Sequence, residues 1–228
     1  MLATPAYDFK ADVYYIDSLV QTIRLCAQTG IEVHPVFWPG EALLVHARNA
    51  LVRLALNAKV DAILFVDADQ QWDPQAALRL LAQPVDVVGC PVRKKSDRED
   101  YNVKAMNGRL IVDDRGLIEV EAIGTGFLKV SQKAMHKAWS FSDAYDHNGE
   151  EFRMVFQCEV IDGRLVGEDI LFCKRLATWG HQIYLDPSHT ITHNGMKQYA
   201  GNFMEWARTL HKPVQVPATE TSFFVGAS

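Results

Sequence analysis

Between Asp12 and Thr29 apolar residues return at three- and four-residue steps (Val13, Ile16, Leu19, Val20, Ile23, Ala27), which is one face of a helix closed by Gly30. Ile31 to Trp38 alternates, with β-branched Ile31, Val33 and Val36, and predicts a strand stopped by Pro39-Gly40. Leu44, Ala47, Leu51, Leu54 and Ala55 share a second helical face within Leu43 to Ala58. Ala62 to Val66 is apolar without a break, as in a strand covered on both sides. Asp73-Pro74 starts a helix running to about Ala82, with Asp73 as cap and Pro74 at the first helical position. Val85 to Cys90 is another buried strand. Strand and helix in alternation predict parallel strands joined by crossover helices. Only Met1 to Thr4 is left to form a strand ahead of the first helix.

The second half reads differently. Turn pairs at Asn107-Gly108, Arg115-Gly116 and Asn148-Gly149 separate short β-like pieces, among them Gly124 to Val130 and Phe152 to Val160. A helix from about Gly167 to Trp179, a strand from Gln182 to Leu185 and a late helix near Tyr199 to Leu210 follow. Lys212 to Ser228 has the composition of an irregular tail. No repeat or linker marks a boundary. The expectation is one α/β domain over residues 1–211, nucleotide-binding-like in 1–100 and mixed in 101–211.

Composition excludes more than it selects. The 228 residues are 48% hydrophobic and 22% charged, which rules out a disordered chain, a collagen-like repeat and a coiled coil. Net charge is −5, from 23 basic and 28 acidic residues, so no global field attracts nucleic acid. Cys26, Cys90, Cys158 and Cys173 are scattered among apolar neighbours with no CxxC pair, which predicts buried free thiols in a reducing compartment. The opening residues MLATPAYDFK have neither the charged nor the apolar part of a signal peptide, and no apolar run approaches about 18 residues. A soluble, cytoplasmic protein without a membrane partner is expected.

The chemistry concentrates at Val60 to Asp69, where a buried strand runs out into two carboxylates one residue apart. In extended chain Asp67 and Asp69 point to the same side, roughly 6.6 Å apart at about 3.3 Å per residue. The carboxyl end of a parallel strand is where open α/β sheets bind ligands. Two carboxylates there repel one another, and a divalent cation relieves the repulsion while gripping a diphosphate. The competing reading makes both residues solvated turn positions before the Asp73-Pro74 cap.

FVDAD after an apolar strand resembles the DxD motif of GT-A glycosyltransferases, the nucleotide-sugar-dependent enzymes similar to family 2. His46-Ala47-Arg48-Asn49, Gly124-Thr125-Gly126-Phe127, Gly167-Glu168-Asp169 and His193-Asn194-Gly195 follow the same family's order of segments. The resemblance spans about residues 1 to 200. It implies a GT-A fold, with a mostly parallel central sheet flanked by helices and an acceptor-binding second half. It also implies a UDP- or GDP-sugar donor and Mn²⁺ or Mg²⁺ held by Asp67, Asp69 and His193. Thr4, Pro5 and Tyr7 would flank the nucleobase, and Arg48, with Asn49 beside it, would reach the base or the phosphates. Gly124, Thr125 and Gly126 would line the acceptor side. Asp169 would take the acceptor's proton in an inverting reaction, with Glu168 as its rival. Small members of this shape resemble phage-encoded sets. The acceptor is therefore open between hydroxymethylpyrimidines in DNA, surface glycans and proteins.

Several features have rival readings. His189 and His193 suggest zinc, but four extended residues span about 13 Å, too far for one ion. Glu168 and Asp169 could merely complement a helix dipole. Arg93-Lys94-Lys95 could hold donor or acceptor phosphates, Lys94 among them, or form a solvated loop. Trp72, just past DxD, could stack on a sugar or belong to the core. A haloacid dehalogenase-type phosphohydrolase also ends a strand in DxD, though it does so near the chain start. A catalytically silent nucleotide- or glycan-binding module is the third alternative.

Overall fold

A computed structural model describes residues 1–210. Five elements alternate as the hydropathy pattern predicts: β1 (Leu2–Ala6), α1 (Val13–Gln28), β2 (Pro35–Pro39), α2 (Leu44–Asn57) and β3 (Ala62–Val66). The side chain of Asp12 caps α1 by accepting the Tyr14 N–H at 2.8 Å, and Gly30 ends the helix with a φ of +78°. The expected strand from Ile31 starts only at Pro35, and the first strand reaches past Thr4 to Ala6. β4 (Gln70–Gln71), α3 (Pro74–Ala82) and β5 (Val87–Gly89) complete the first half, with Asp73 capping α3 as predicted.

The second half holds β6 (Val103–Ala105), β7 (Ile118–Ile123), β8 (Phe127–Ser131), α4 (Gln132–Ser140), β9 (Ala144–His147), β10 (Glu150–Arg153), β11 (Glu159–Ile161) and β12 (Arg164–Val166). After these come α5 (Glu168–Thr178), β13 (Ile183–Leu185), β14 (Thr192–Asn194), β15 (Gln198–Tyr199) and α6 (Phe203–Thr209). The piece expected at Phe152 to Val160 is two strands of different hairpins. The late helix begins at Phe203 rather than Tyr199. β7 and α4 were not predicted. The expected tail, Lys212 to Ser228, lies outside the described residues.

The main sheet has the order β2-β1-β3-β8-β5-β13-β7-β6. β1 pairs parallel with β2 and β3, and β13 pairs parallel with β5, while β7 and β8 run against their neighbours. The expectation of parallel crossovers therefore fails at one place: antiparallel β8 separates β3 from β5. β3 shows why its sequence has no polar position. Ile63 and Phe65 pack into the core beneath α2 and α5, whereas Leu64 and Val66 pack with Tyr15, Trp72 and Phe127 on the opposite face. Fully burying each such side chain contributes about 1.5–3 kcal/mol. Cys26, Cys90 and Cys173 are buried free thiols, but Cys158 is exposed, against expectation. Among the described residues no helix is long and apolar enough to cross a membrane.

Candidate active site

β3 stops at Val66 and the chain turns instead of running on. The Gln70 N–H donates to the Asp67 carbonyl at 3.2 Å, and the Asp67 N–H donates to the Gly126 carbonyl at 3.1 Å. Asp67 and Asp69 are thus turn residues rather than neighbours on one extended face. The turn feeds β4, which pairs with β14 and sets His193 opposite Gln70. The Asn194 N–H donates to the Asp69 carbonyl at 2.8 Å, so the late histidine is held beside the acidic turn by backbone pairing. Gly126 lies across from Asp67. A Cβ there would overlap the Gln70 carboxamide and come within 3.0 Å of Asp67 Oδ2. Gly126→Ala is expected to displace the acidic turn and weaken divalent-metal binding without unfolding the sheet; calorimetric titration with Mn²⁺ beside a thermal melt checks both.

Two adjoining compartments open at the carboxyl ends of β1, β3 and β5. One, of about 600 Å³, is lined by Pro5, Tyr7, Asp8, Asp12, Glu41, Asp69 and Asn194, among others. The second, of about 460 Å³, is lined by Arg48, Gln70, Lys94, Gly124, Thr125, Gly126, Glu168 and Asp169, among others. Leu44, Asp67, Lys95 and His193 border both. The larger compartment presents five carboxylates (Asp8, Asp12, Glu41, Asp67, Asp69) and two lysines (Lys10, Lys95), an acidic lining that repels a bare diphosphate.

The side chains form three groups. Asp69 Oδ2 accepts from Lys95 Nζ at 2.5 Å, while Oδ1 faces His193 Nε2 at 3.1 Å. Burial alone would raise the Asp69 carboxyl, but the charge of Lys95, together with a proton on the facing nitrogen of His193, holds it below the ordinary carboxylate value. Arg48, itself buried, bridges Asp67 (3.1 Å) and Glu168. Asp169 accepts the Ile170 N–H at 2.7 Å on Oδ1 and the Asn102 amide on Oδ2. Burial pushes the Asp169 carboxyl up, and the neighbouring Glu168 adds to the rise.

Part of this arrangement fits a divalent cation. His193 Nδ1 lies 3.1 Å from the Arg93 carbonyl, which can only accept, so Nδ1 carries the hydrogen and Nε2 faces the acid. Asp69 Oδ1 is buried with no hydrogen-bond partner. Two electron-rich atoms at 3.1 Å need a second proton on the ring or a cation between them. Asp67 does not complete the expected trio. Its Oδ1 is taken by Arg48, and among the described residues Asp67, Asp69 and His193 do not converge as a three-ligand cluster. Asp69 and His193 would supply two ligands, which suits an ion that takes its remaining ligands from phosphate and water.

Comparison of the whole chain decides the fold. It matches A197 from STIV with a TM-score of 0.54 at 20% identity, covering 84% of this chain and 83% of that one. It also matches GalNAc-T7, solved with UDP, GalNAc and Mn²⁺, with a TM-score of 0.51 at 8% identity over 86% of this chain. This is a GT-A fold. The chain spans 44% of the GalNAc-T7 chain. No protein-family model and no curated protein matches the sequence.

Within the GT-A fold the sequence-predicted residues divide cleanly. Pro5 and Tyr7 line the larger compartment, and Gly124, Thr125, Gly126, Glu168 and Asp169 line the smaller. Thr4 does not reach the cleft: it is buried and bonded to the Tyr15 hydroxyl. Asn49 is buried too, its carboxamide accepting the Phe156 N–H at 2.7 Å and donating to the Phe156 carbonyl at 3.2 Å. Trp72 is a core residue whose indole N–H donates to Thr22 at 2.8 Å, so it cannot stack on an acceptor. Arg48 faces two carboxylates instead of a base. Lys94 lines the smaller compartment but pairs with Asp100 at 2.7 Å; Lys95 is the lysine that meets DxD. Sequence reasoning missed Gln70 and Asn102. Gln70 adjoins the motif and could have been suspected; nothing local marks Asn102.

Proposed function

We propose that the protein is a glycosyltransferase that moves a sugar from a UDP- or GDP-sugar to an acceptor hydroxyl, with Mn²⁺ or Mg²⁺ at Asp69 and His193. The observation that carries this reading is the shared wall of the two compartments: an acidic, cation-suited corner on one side and a half-buried carboxylate, Asp169, on the other. The Gln70 carboxamide and the Thr125 hydroxyl support it. Both side chains are buried at the smaller compartment and lack hydrogen-bond partners, a state that a hydroxyl-rich ligand relieves.

Bound there, the cation supplies the charge that neutralises the departing nucleoside diphosphate. Lys95 adds a second positive charge at the same corner. The acceptor oxygen bonds to the anomeric carbon as the sugar–phosphate bond breaks, its proton passes to Asp169, and the configuration inverts. Burial makes Asp169 a stronger base than an exposed aspartate, and Asn102 orients it. Arg48 keeps Glu168 charge-paired, which leaves Asp169 rather than Glu168 as the base.

The basic run after β5 is spent on internal contacts. Arg93 is buried against the carbonyls of Lys94 and Ser96, Lys94 meets Asp100 and Lys95 meets Asp69. That leaves little free charge for duplex phosphates, so a glycan or another small hydroxylated acceptor is favoured over DNA. The phosphohydrolase alternative would need Asp67 as nucleophile, and its charge-pairing with Arg48 makes it a poor one.

Incubation with UDP- and GDP-sugars and Mn²⁺, with and without glycan or hydroxymethylpyrimidine-DNA acceptors, tests the reading. Metal-dependent release of nucleoside diphosphate is expected, and Asp69→Ala should abolish that release while the protein still melts cooperatively. Release of inorganic phosphate from sugar phosphates would establish the phosphohydrolase instead. Donor binding with no turnover on any acceptor would leave a binding module.

A further inference from the structure

A second cluster of metal-ligating side chains adjoins the cleft, sharing Glu41 with the wall of the larger compartment, and its two histidines take no part in the chemistry above. Glu41 follows β2, His46 is in the first turn of α2, and His147 ends β9; one ligand atom from each falls within 4.8 Å of the others. From this convergence we propose a second metal site, Glu41–His46–His147, for a zinc-type divalent ion that fastens the β9–β10 hairpin to the start of α2.

Two of the three ligands are already oriented through their other atoms. Glu41 Oε1 accepts the Leu43 N–H at 2.8 Å, leaving Oε2 to face His46 Nε2 at 4.0 Å. His46 is buried; its Nδ1 bonds the Tyr145 hydroxyl at 2.8 Å, and its Nε2 makes no hydrogen bond among the described residues. Fixing one imidazole nitrogen so that the other is presented is how metal-binding histidines are held.

His147 is the exposed member, its ring centroid 4.0 Å from that of His46. Two imidazoles and one carboxylate match zinc, whereas the corner at Asp69 has the oxygen-rich character that suits Mg²⁺ or Mn²⁺. The hairpin is otherwise tied to α2 by the Arg53–Glu150 pair at 2.5 Å and by Arg53 over Phe152. Stacking of His46 in an aromatic group with Tyr145 and Phe152 accounts for its burial, but not for the approach of a ligand atom of Glu41 and one of His147 to within 4.8 Å of one of its own.

Metal-free protein titrated with Zn²⁺, and separately with Co²⁺ followed by visible absorption, tests this independently of any transferase activity. One equivalent of Zn²⁺ should bind to the Asp69→Ala variant with a tetrahedral Co²⁺ spectrum. Adding His147→Ala should remove it, and adding Tyr145→Phe should weaken it by about 10- to 100-fold. Because His147 is exposed, its replacement leaves the fold intact, which a thermal melt verifies. Failure of Asp69→Ala to bind Zn²⁺, or undiminished binding after His147→Ala, overturns the site.

Discussion

Asp169→Asn is expected to lower the turnover number by roughly 10²- to 10⁴-fold, the range that a positioned general base supplies. The substitution is nearly isosteric. Its carboxamide oxygen still accepts the Ile170 N–H, and Asn102 can rotate its own amide to accept from the new nitrogen. What is lost is proton affinity. Donor affinity, read by calorimetry with a non-hydrolysed nucleotide sugar, should stay close to wild type. An equal loss in kcat and affinity would place Asp169 in donor binding instead. The wild-type pH–rate profile adds a second check: burial raises this carboxyl, so the acidic limb should lie above the ordinary aspartate range and vanish in the variant.

Arg48→Met is the largest expected change in stability. The guanidinium sits between Asp67 and Glu168, and its removal leaves two carboxylates in a low-dielectric setting with no counter-charge. Breaking a buried pair this way costs about 3–5 kcal/mol, and the partial exposure of Asp67 (33%) argues for the lower end. The deficit should depend on pH in a stated direction. The loss comes from two negative charges left without a counter-charge, so it should be full at neutral pH and shrink in acid, where the charge is removed. Glu168→Gln in the same chain should recover part of the loss. Denaturant titrations at several pH values measure all of this, and a pH-independent deficit would indicate lost packing instead.

Position along the sequence explains which parts of the site could be read in advance. The acidic turn and the Glu168-Asp169 helix start carry local signals, a strand that stops and a dipole with acids at its positive end, whereas Gly126 and His193 could be read only through the resemblance of their segments to GT-A glycosyltransferases. Thr4, Asn49 and Trp72 sit beside those signals but point into the core, because the alternation of a short buried strand or the rotation of a helix decides which neighbour faces the cleft. Lys94 and Lys95 show the same limit. Adjacent lysines in a loop are interchangeable on paper, and only Lys95 meets Asp69.

Local periodicity was enough to establish an α/β domain, the caps and lengths of α1 and α3, and a strand buried on both faces ending at an acidic pair. It was enough because helix and strand periods and capping bonds act within a few residues. Tertiary structure alone decided that β8 enters antiparallel between β3 and β5, that β14 lays His193 against Asp69, and that Arg48 bridges acids 19 and 120 residues away. It also decided that Glu41, His46 and His147 converge. Such contacts join segments far apart in the chain, and they are selected by how whole faces pack rather than by any residue's immediate neighbours.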